Sequence, residues 1–502
     1  MAVLKLGVDA DYVLSALLRH HLFPSHKADL SELPPVFTSA GLTDKVARHL
    51  AASSGRKEAF GYDCIRYLST RFNNVPRTLS IPHPVPHARL ALCIHENWES
   101  IKRITSNKNS LISPRLYPDG RLFTMEYGKG PKRILKELTR AFGKRFLVKA
   151  DVSNCYPSIY THSIAWAAVG KPEAKAKRND CAAWFNQLDK RVRQAKRNET
   201  HGIVIGPATS SIVAEFILGR IDEALRAEFD HLRFLDDFQA FCATEEDALA
   251  FIRRLAHELR AFELELNARK TTIQPLPCTS SADWVHQLSL WMPKRVPELF
   301  VDDVTNYLDL ALSMASREPD GSVLKYAIKA VRAKKKRNDA LFALISYTLN
   351  LSFHNPVLVP MLDVMFDEVV ASGLPLEYGH KIESLIQHFA ESHCSDGLSW
   401  SLYYAARHGF TLRSELAAEV VECGDCLALA QLRRVGDATV RQMVLDFATT
   451  RIAGVVDEVE KYDLDQYWLL LYELYLDGDI ANPYAGEDTF DILASAGIRF
   501  LQ

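Results

Sequence analysis

The chain has 502 residues, 48% of them hydrophobic and 24% charged, with a formal net charge of −2. That length implies two or more domains, and the apolar fraction supports a large core, which excludes a mainly disordered protein. The near-neutral balance excludes a uniformly basic surface built to grip a long nucleic-acid duplex.

Taken in chain order, the N-terminal stretch MAVLKLGVDADYVLSALL has no basic leader, and Asp9 and Asp11 interrupt its apolar run, so it does not read as a signal peptide. No later run has the length of a membrane span. Residues 73–90, NNVPRTLSIPHPVPHARL, are proline-dense and read as extended strand or loop. In residues 145–156, RFLVKADVSNCY, Phe146, Val148 and Ala150 alternate with Leu147, Lys149 and Asp151. This predicts a strand that delivers Asp151 at its end. Pro157 stops that strand, and residues 158–168 read as helix. Residues 171–197 are rich in Lys and Arg, which fits a nucleic-acid contact and a solvated helix face equally well.

Residues 200–220, THGIVIGPATSSIVAEFILGR, place Gly202, Gly206 and Pro207 ahead of an apolar helix that Thr209 or Ser210 is expected to cap. A glycine-containing turn entering a helix lets the backbone pass close to a nucleotide, with Gly202 as the candidate. Residues 231–241, HLRFLDDFQAF, put Asp236 and Asp237 between two apolar runs, as at the tip of a hairpin. An isolated Asp-Asp pair is usually a turn. Joined by Asp151 from another strand, the three carboxylates repel one another unless divalent cations fill the site. Two Mg²⁺ ions held this way, or Mn²⁺ in their place, can activate a hydroxyl and stabilise a leaving pyrophosphate.

Beyond residue 285 strand-like alternation gives way to helical periodicity over 340–351, 357–370, 382–390, 399–408 and 468–476. Breaks are expected at residues 354–356, 372–375 and 396–397. Short helices with tight breaks suggest a helical array without a fixed period. The run Lys334 to Arg337 reads as a solvated turn at a helix start. Nine cysteines are scattered, as suits a reducing cytoplasm; Cys423 and Cys426, expected on one helical turn, are weak evidence for zinc.

The four segments around Asp151, Gly202, Asp236–Asp237 and LELNARKT (264–271) together resemble motifs A to D of reverse transcriptases. DVSNCYPSIYTHSIAWA and IVIGPATSSIVAEFIL are most similar to the bacterial abortive-infection group. Departures are Phe234 where motif C usually has Tyr, His201 for Gln and Val204 for Pro. The resemblance covers about residues 60–285. It implies an α+β fold: reverse-transcriptase-like fingers and palm over 1–285, then a large all-α domain over 286–502, with a cleft between two lobes.

It further implies that Asp151, Asp236 and Asp237 are the catalytic, metal-binding residues. Tyr156 would lie beneath the sugar of a deoxynucleoside triphosphate. The N–H groups of Val152, Ser153 and Asn154, left unpaired where the chain turns, would contact the triphosphate. Arg77 and His83 would face that triphosphate, and Lys270 the leaving phosphates. The group makes DNA without a template, primed from a protein hydroxyl, and forms homo-oligomers active in phage defence. On that pattern the product is single-stranded DNA joined to the protein, and Tyr12 is one candidate primer. RNA-templated synthesis and a catalytically silent scaffold are the competing readings.

Overall fold

The computed structural model describes residues 8–24, 31–53, 56, 59–71, 74–124, 131–279, 281–293, 297–318, 322–455, 457 and 461–502. Asn73 and the first seven residues, both part of segments read above, lie outside them. The chain is α+β. A first antiparallel hairpin pairs β1 (Cys64–Thr70) with β2 (Pro76–Pro82), setting Arg77 opposite Ser69. The proline-dense segment is extended only as far as Pro82. From Pro84 to Glu96 it is helix, contrary to expectation, because Pro84 and Pro86 fall in the first turn, where the missing N–H has no intrahelical partner to lose.

A second sheet has four antiparallel strands: β3 (Phe146–Asp151), β4 (His231–Phe234), β5 (Asp237–Cys242) and β6 (Thr272–Pro275), in the order β4-β5-β3-β6. The predicted strand and hairpin both form. Alternation sorts their side chains by face: Val148, Ala150, Phe238 and Ala240 enter the main core, while Leu147, Leu232 and Phe241 make a small second cluster. Helix Glu245–Ala261, started by a Thr244–Asp247 capping box, packs on β3 and β5. Helix Ala208–Leu225 is buried around nearly its whole circumference. Its N-cap is Pro207 with no side-chain cap bond, so neither Thr209 nor Ser210 caps it. Residues 158–168 also differ from expectation. A short helix ends at Ser158, Tyr160 then bridges to His201, and the next helix is Ser163–Val169.

The C-terminal half is helical, and each of several helices packs on the next but one. Gly379–Glu391 meets Ser414–Cys423, Ser395–His408 meets Cys426–Val435, and Ser414–Cys423 meets Ala438–Ala453. That is the stacking expected of an array of helix pairs. Asp396 and Gly397 do not break it; they form the first turn of helix 395–408, where an added Cβ at residue 397 would come 2.7 Å from the Phe389 ring. Cys423 and Cys426 straddle the left-handed Gly424 between two helices instead of sharing a turn. Lys336 is buried and paired with Glu368 at 3.1 Å, so the basic run is not simply a solvated turn.

Among the described residues, helices 395–408 and 426–435 pack directly against β1 of the first hairpin. One continuous core runs from Val8 to Leu501, and helix Asp283–Trp291 spans the expected boundary at residue 285. Thr70 of β1 donates its N–H and hydroxyl to Asp396 at 2.7 and 2.9 Å. Buried Arg56 pairs with Asp465 at 2.5 Å and Glu487 at 3.1 Å. Among the described residues no helix is long and apolar enough to cross a membrane. All nine cysteines are free.

Candidate active site

Asp151 ends β3 directly opposite Asp237, which begins β5. Asp236 immediately precedes Asp237, in the tight connection from Phe234 to Asp237. The other residue of that connection, Leu235, takes φ 57°, a strained left-handed value for a leucine. Two bonds hold it there. Arg233 Nη1 donates to the Leu235 carbonyl at 2.8 Å, and the Val152 N–H donates to the Asp236 carbonyl at 3.1 Å. Arg233 is itself fully buried against Glu215 and Asp222 of helix 208–225, with Nη–O distances of 2.8 Å to each. His231 Nε2 reaches the second Asp222 oxygen at 3.1 Å.

Residues 264–271 run along the same end of the sheet. The Asn267 N–H donates to the Asp151 carbonyl at 2.8 Å, and the Ser153 N–H donates to the Glu265 carbonyl at 2.8 Å. Asn267 Nδ2 and Lys270 Nζ then reach the two Asp151 carboxylate oxygens at 3.1 and 3.0 Å. Over these groups opens a cavity of about 640 Å³, lined by Arg71, Arg77, Asp151 to Pro157, Gly206, Ser211, Asp236, Asp237 and Lys270 among others. Asp151, Asp236, Asp237, Tyr156, Arg77 and Lys270, all expected from the sequence, thus line one space.

Several expectations need correction. The N–H groups of Val152 and Ser153 are spent on Asp236 and Glu265, so they are not free for a triphosphate; Asn154 lines the cavity in a left-handed conformation. Gly202 is not in the lining. Its φ of 76° and a Cβ position 2.8 Å from the Pro157 carbonyl make it a packing glycine, and Gly206 takes the place at the cavity. His83 is buried in the core, stacked on Tyr62 at 4.6 Å, with burial lowering its pKa well below the usual range. Tyr12 sits on a packed helix, where its hydroxyl donates to the Arg121 carbonyl at 2.7 Å and accepts from the Tyr117 N–H at 3.0 Å. Arg71 and Asn267 escaped sequence reading; Asn267 lay in view within LELNARKT. Arg233 could have been flagged as a lone cation in an apolar strand.

Charge at the site is unbalanced. Partial burial and the neighbouring Asp236 and Asp151 push the Asp237 carboxyl up to about 6. Asp236 is also raised, by burial and then by Asp151, with Arg77 and Lys270 opposing. Among the described residues no three His, Cys, Asp or Glu side chains close on one ion position. The donor set nevertheless fits hard divalent cations, being all oxygen, clustered and short of positive charge. Lys270 pairs with Asp151, and the Arg77 Nε is buried without a hydrogen-bond partner beside the same carboxylates.

Carboxylates from adjacent antiparallel strands thus stand together at the cavity, beside a buried helix. Residues 99–287 match the family model described as "Reverse transcriptase (RNA-dependent DNA polymerase)". The chain therefore carries a domain of the reverse transcriptase superfamily, followed by a large helical portion. The match begins after β2, so it does not include Arg77. Two solved structures are also similar to the chain. Apo telomerase from Candida Tropicalis truncated from the C-terminal domain is 12% identical, with 44% of this chain and 51% of that chain covered and a TM-score of 0.31. Apo telomerase from Candida Tropicalis is 9% identical, with 84% and 72% covered and a TM-score of 0.34. The chain spans about half the length of the first of these. No curated protein matches.

Proposed function

We propose that the chain is a Mg²⁺-dependent DNA polymerase that extends a protein hydroxyl with deoxynucleotides and needs no template. The observation that carries the polymerase reading is the pairing of Asp151 with Asp237 across β3 and β5, with Asp236 in the adjoining turn. Asp151, Asp236 and Asp237 would hold the two ions, which supply charge to the attacking oxygen and the triphosphate when bound. Arg77 receives the triphosphate oxygens. Tyr156 packs under the sugar and excludes a 2′ hydroxyl. Lys270, released from Asp151, faces the leaving phosphates. Positioning and charge stabilisation provide most of the rate.

Protein priming, untemplated synthesis, homo-oligomers and a cytoplasmic role in phage defence rest on the resemblance of the motifs to the abortive-infection group. The net charge of −2 agrees, since no long duplex has to be gripped. RNA-templated synthesis is the second reading, favoured by the description of the matching family.

The test is incubation of purified protein with Mg²⁺ and labelled deoxynucleotides, without template or primer. Label that runs with the protein and is freed as DNA by protease supports the proposal, and peptide mapping names the primer. Extension only of a primed RNA template would transfer the case to the second reading. No incorporation in either assay overturns both.

A further inference from the structure

Far along the chain from the three aspartates, the C-terminal helices enclose a basin of about 450 Å³. Arg433 and Arg434 end helix 426–435, Arg441 lies on helix 438–453, Glu473 lies on helix 468–476, and Arg499 comes from the last residues of the chain. Arg433 is neutralised by ion pairs with Asp477 and Asp479. Among the described residues, no ion pair engages Arg434, Arg441 or Arg499, and all three are exposed. The remaining lining carboxylate, Glu473, is 3% exposed, and its Oε1 is buried without a hydrogen-bond partner.

One carboxylate cannot balance three guanidiniums. Solvated arginines ordinarily sit apart or beside acids, because like charges gathered around a concavity focus a positive field. Guanidiniums also match phosphate oxygens bidentately. Among the described residues the lining has no aromatic ring on which a base could stack, so recognition is of phosphate and not of base. The volume falls within the roughly 300–1,000 Å³ of small-molecule pockets. Burial raises the Glu473 carboxyl, against the pull of Arg434.

We propose that the basin between Arg434, Arg441 and Arg499 binds the polyphosphate group of a small anion, either pyrophosphate or a nucleoside triphosphate. It shares no lining residue with the aspartate cavity, and the assignment stands whether or not that cavity polymerises DNA.

The test is calorimetric titration of the full chain with pyrophosphate, with a deoxynucleoside triphosphate and with a short single-stranded DNA, all in EDTA. Omitting divalent metal withholds the ions through which the aspartate cavity would hold a triphosphate, and Asp236→Asn controls for that cavity. The expected result is pyrophosphate binding that weakens about tenfold or more in Arg441→Gln/Arg499→Gln and persists in Asp236→Asn, with Arg499→Lys intermediate. Equal affinity for the triphosphate assigns the occupant to nucleotides as well as free pyrophosphate; much weaker triphosphate binding assigns it to pyrophosphate. No binding by the wild type, binding unchanged in the double variant, or tighter binding of the DNA than of either small anion overturns the proposal. Unliganded melting temperatures of the variants, expected to be unaltered because the replaced side chains are exposed, separate lost binding from lost folding.

Discussion

Arg233→Met is the most informative perturbation of the aspartate site, because it leaves every carboxylate there in place. The guanidinium makes five hydrogen bonds: two to Asp222 at 2.9 and 2.8 Å, two to Glu215 at 2.8 and 3.1 Å, and one to the Leu235 carbonyl at 2.8 Å. Its removal strands two buried carboxylates. Losing one partner of a buried pair costs roughly 3–5 kcal/mol. The loss stays in that range instead of doubling, because Glu215 is already raised by burial and takes up a proton once Arg233 is gone. The variant should therefore lose about 3–5 kcal/mol in denaturant unfolding.

Arg233→Met/Glu215→Gln/Asp222→Asn removes all three charges and should recover most of that stability. It does not restore the bond to the Leu235 carbonyl that holds the strained turn beside Asp236. A charged donor to a carbonyl is worth about 1.5–3 kcal/mol, which converts to about a ten- to hundredfold loss of nucleotide incorporation. A triple variant with full wild-type rate, or a single variant less than about 1 kcal/mol weaker than wild type, would refute this account of Arg233.

Asp236→Ala should abolish incorporation while leaving the metal-free protein folded and slightly more stable, since it relieves repulsion with Asp151 and Asp237; a melting curve and the labelling assay decide both parts. Tyr156→Ala should admit ribonucleotides, whereas Tyr156→Phe should not, because the hydroxyl makes only a long hydrogen bond to Ser211, at 3.4 Å, among the described residues, and the ring provides the barrier. Competition between labelled ribo- and deoxynucleotides reads this out, and a Phe variant as permissive as Ala would contradict it. Asp237 titrates near 6, above its ordinary value of 3.8, so its contribution to metal-free stability is present at low pH and is lost as pH rises through about 6. Divalent metal binds the ionised form and displaces that proton, so the rise in melting temperature on adding Mg²⁺ should be larger at pH 7.5 than at 5.5. An equal rise at both pH values would count against Asp237 as a ligand.

Much of the aspartate site was legible because it depends on local rules. Period-two alternation placed Asp151 at a strand end, and apolar runs flanking an acidic pair foretold the hairpin. The misassigned residues depend on what the chain meets in three dimensions. Val152 and Ser153 read as free donors until residues 264–267 returned alongside them and took both N–H groups. His83 read as a phosphate ligand because nothing in PHPVP reveals that Tyr62, Trp468 and Tyr484 enclose it. Gly397 read as a breaker, yet it is a glycine so that Phe389 can pack against its helix.

The same limit applies to the change of texture at residue 285. Sequence texture does change there, but a change of periodicity reports the type of element and not whether two regions share a core. Here the acids that seal the junction, Asp396, Asp465 and Glu487, lie hundreds of residues from Thr70, Arg56 and Asp63, which they hold. Each is a buried carboxylate with its partner on the first hairpin or beside it, and a buried charge left unpaired is costly enough to bar an alternative docking. Arg77 projects from β2 of that hairpin into the aspartate cavity. The C-terminal helices therefore fix the hairpin that carries Arg77, which ties the helical half to the geometry of the site although no described residue beyond Lys270 lines the cavity.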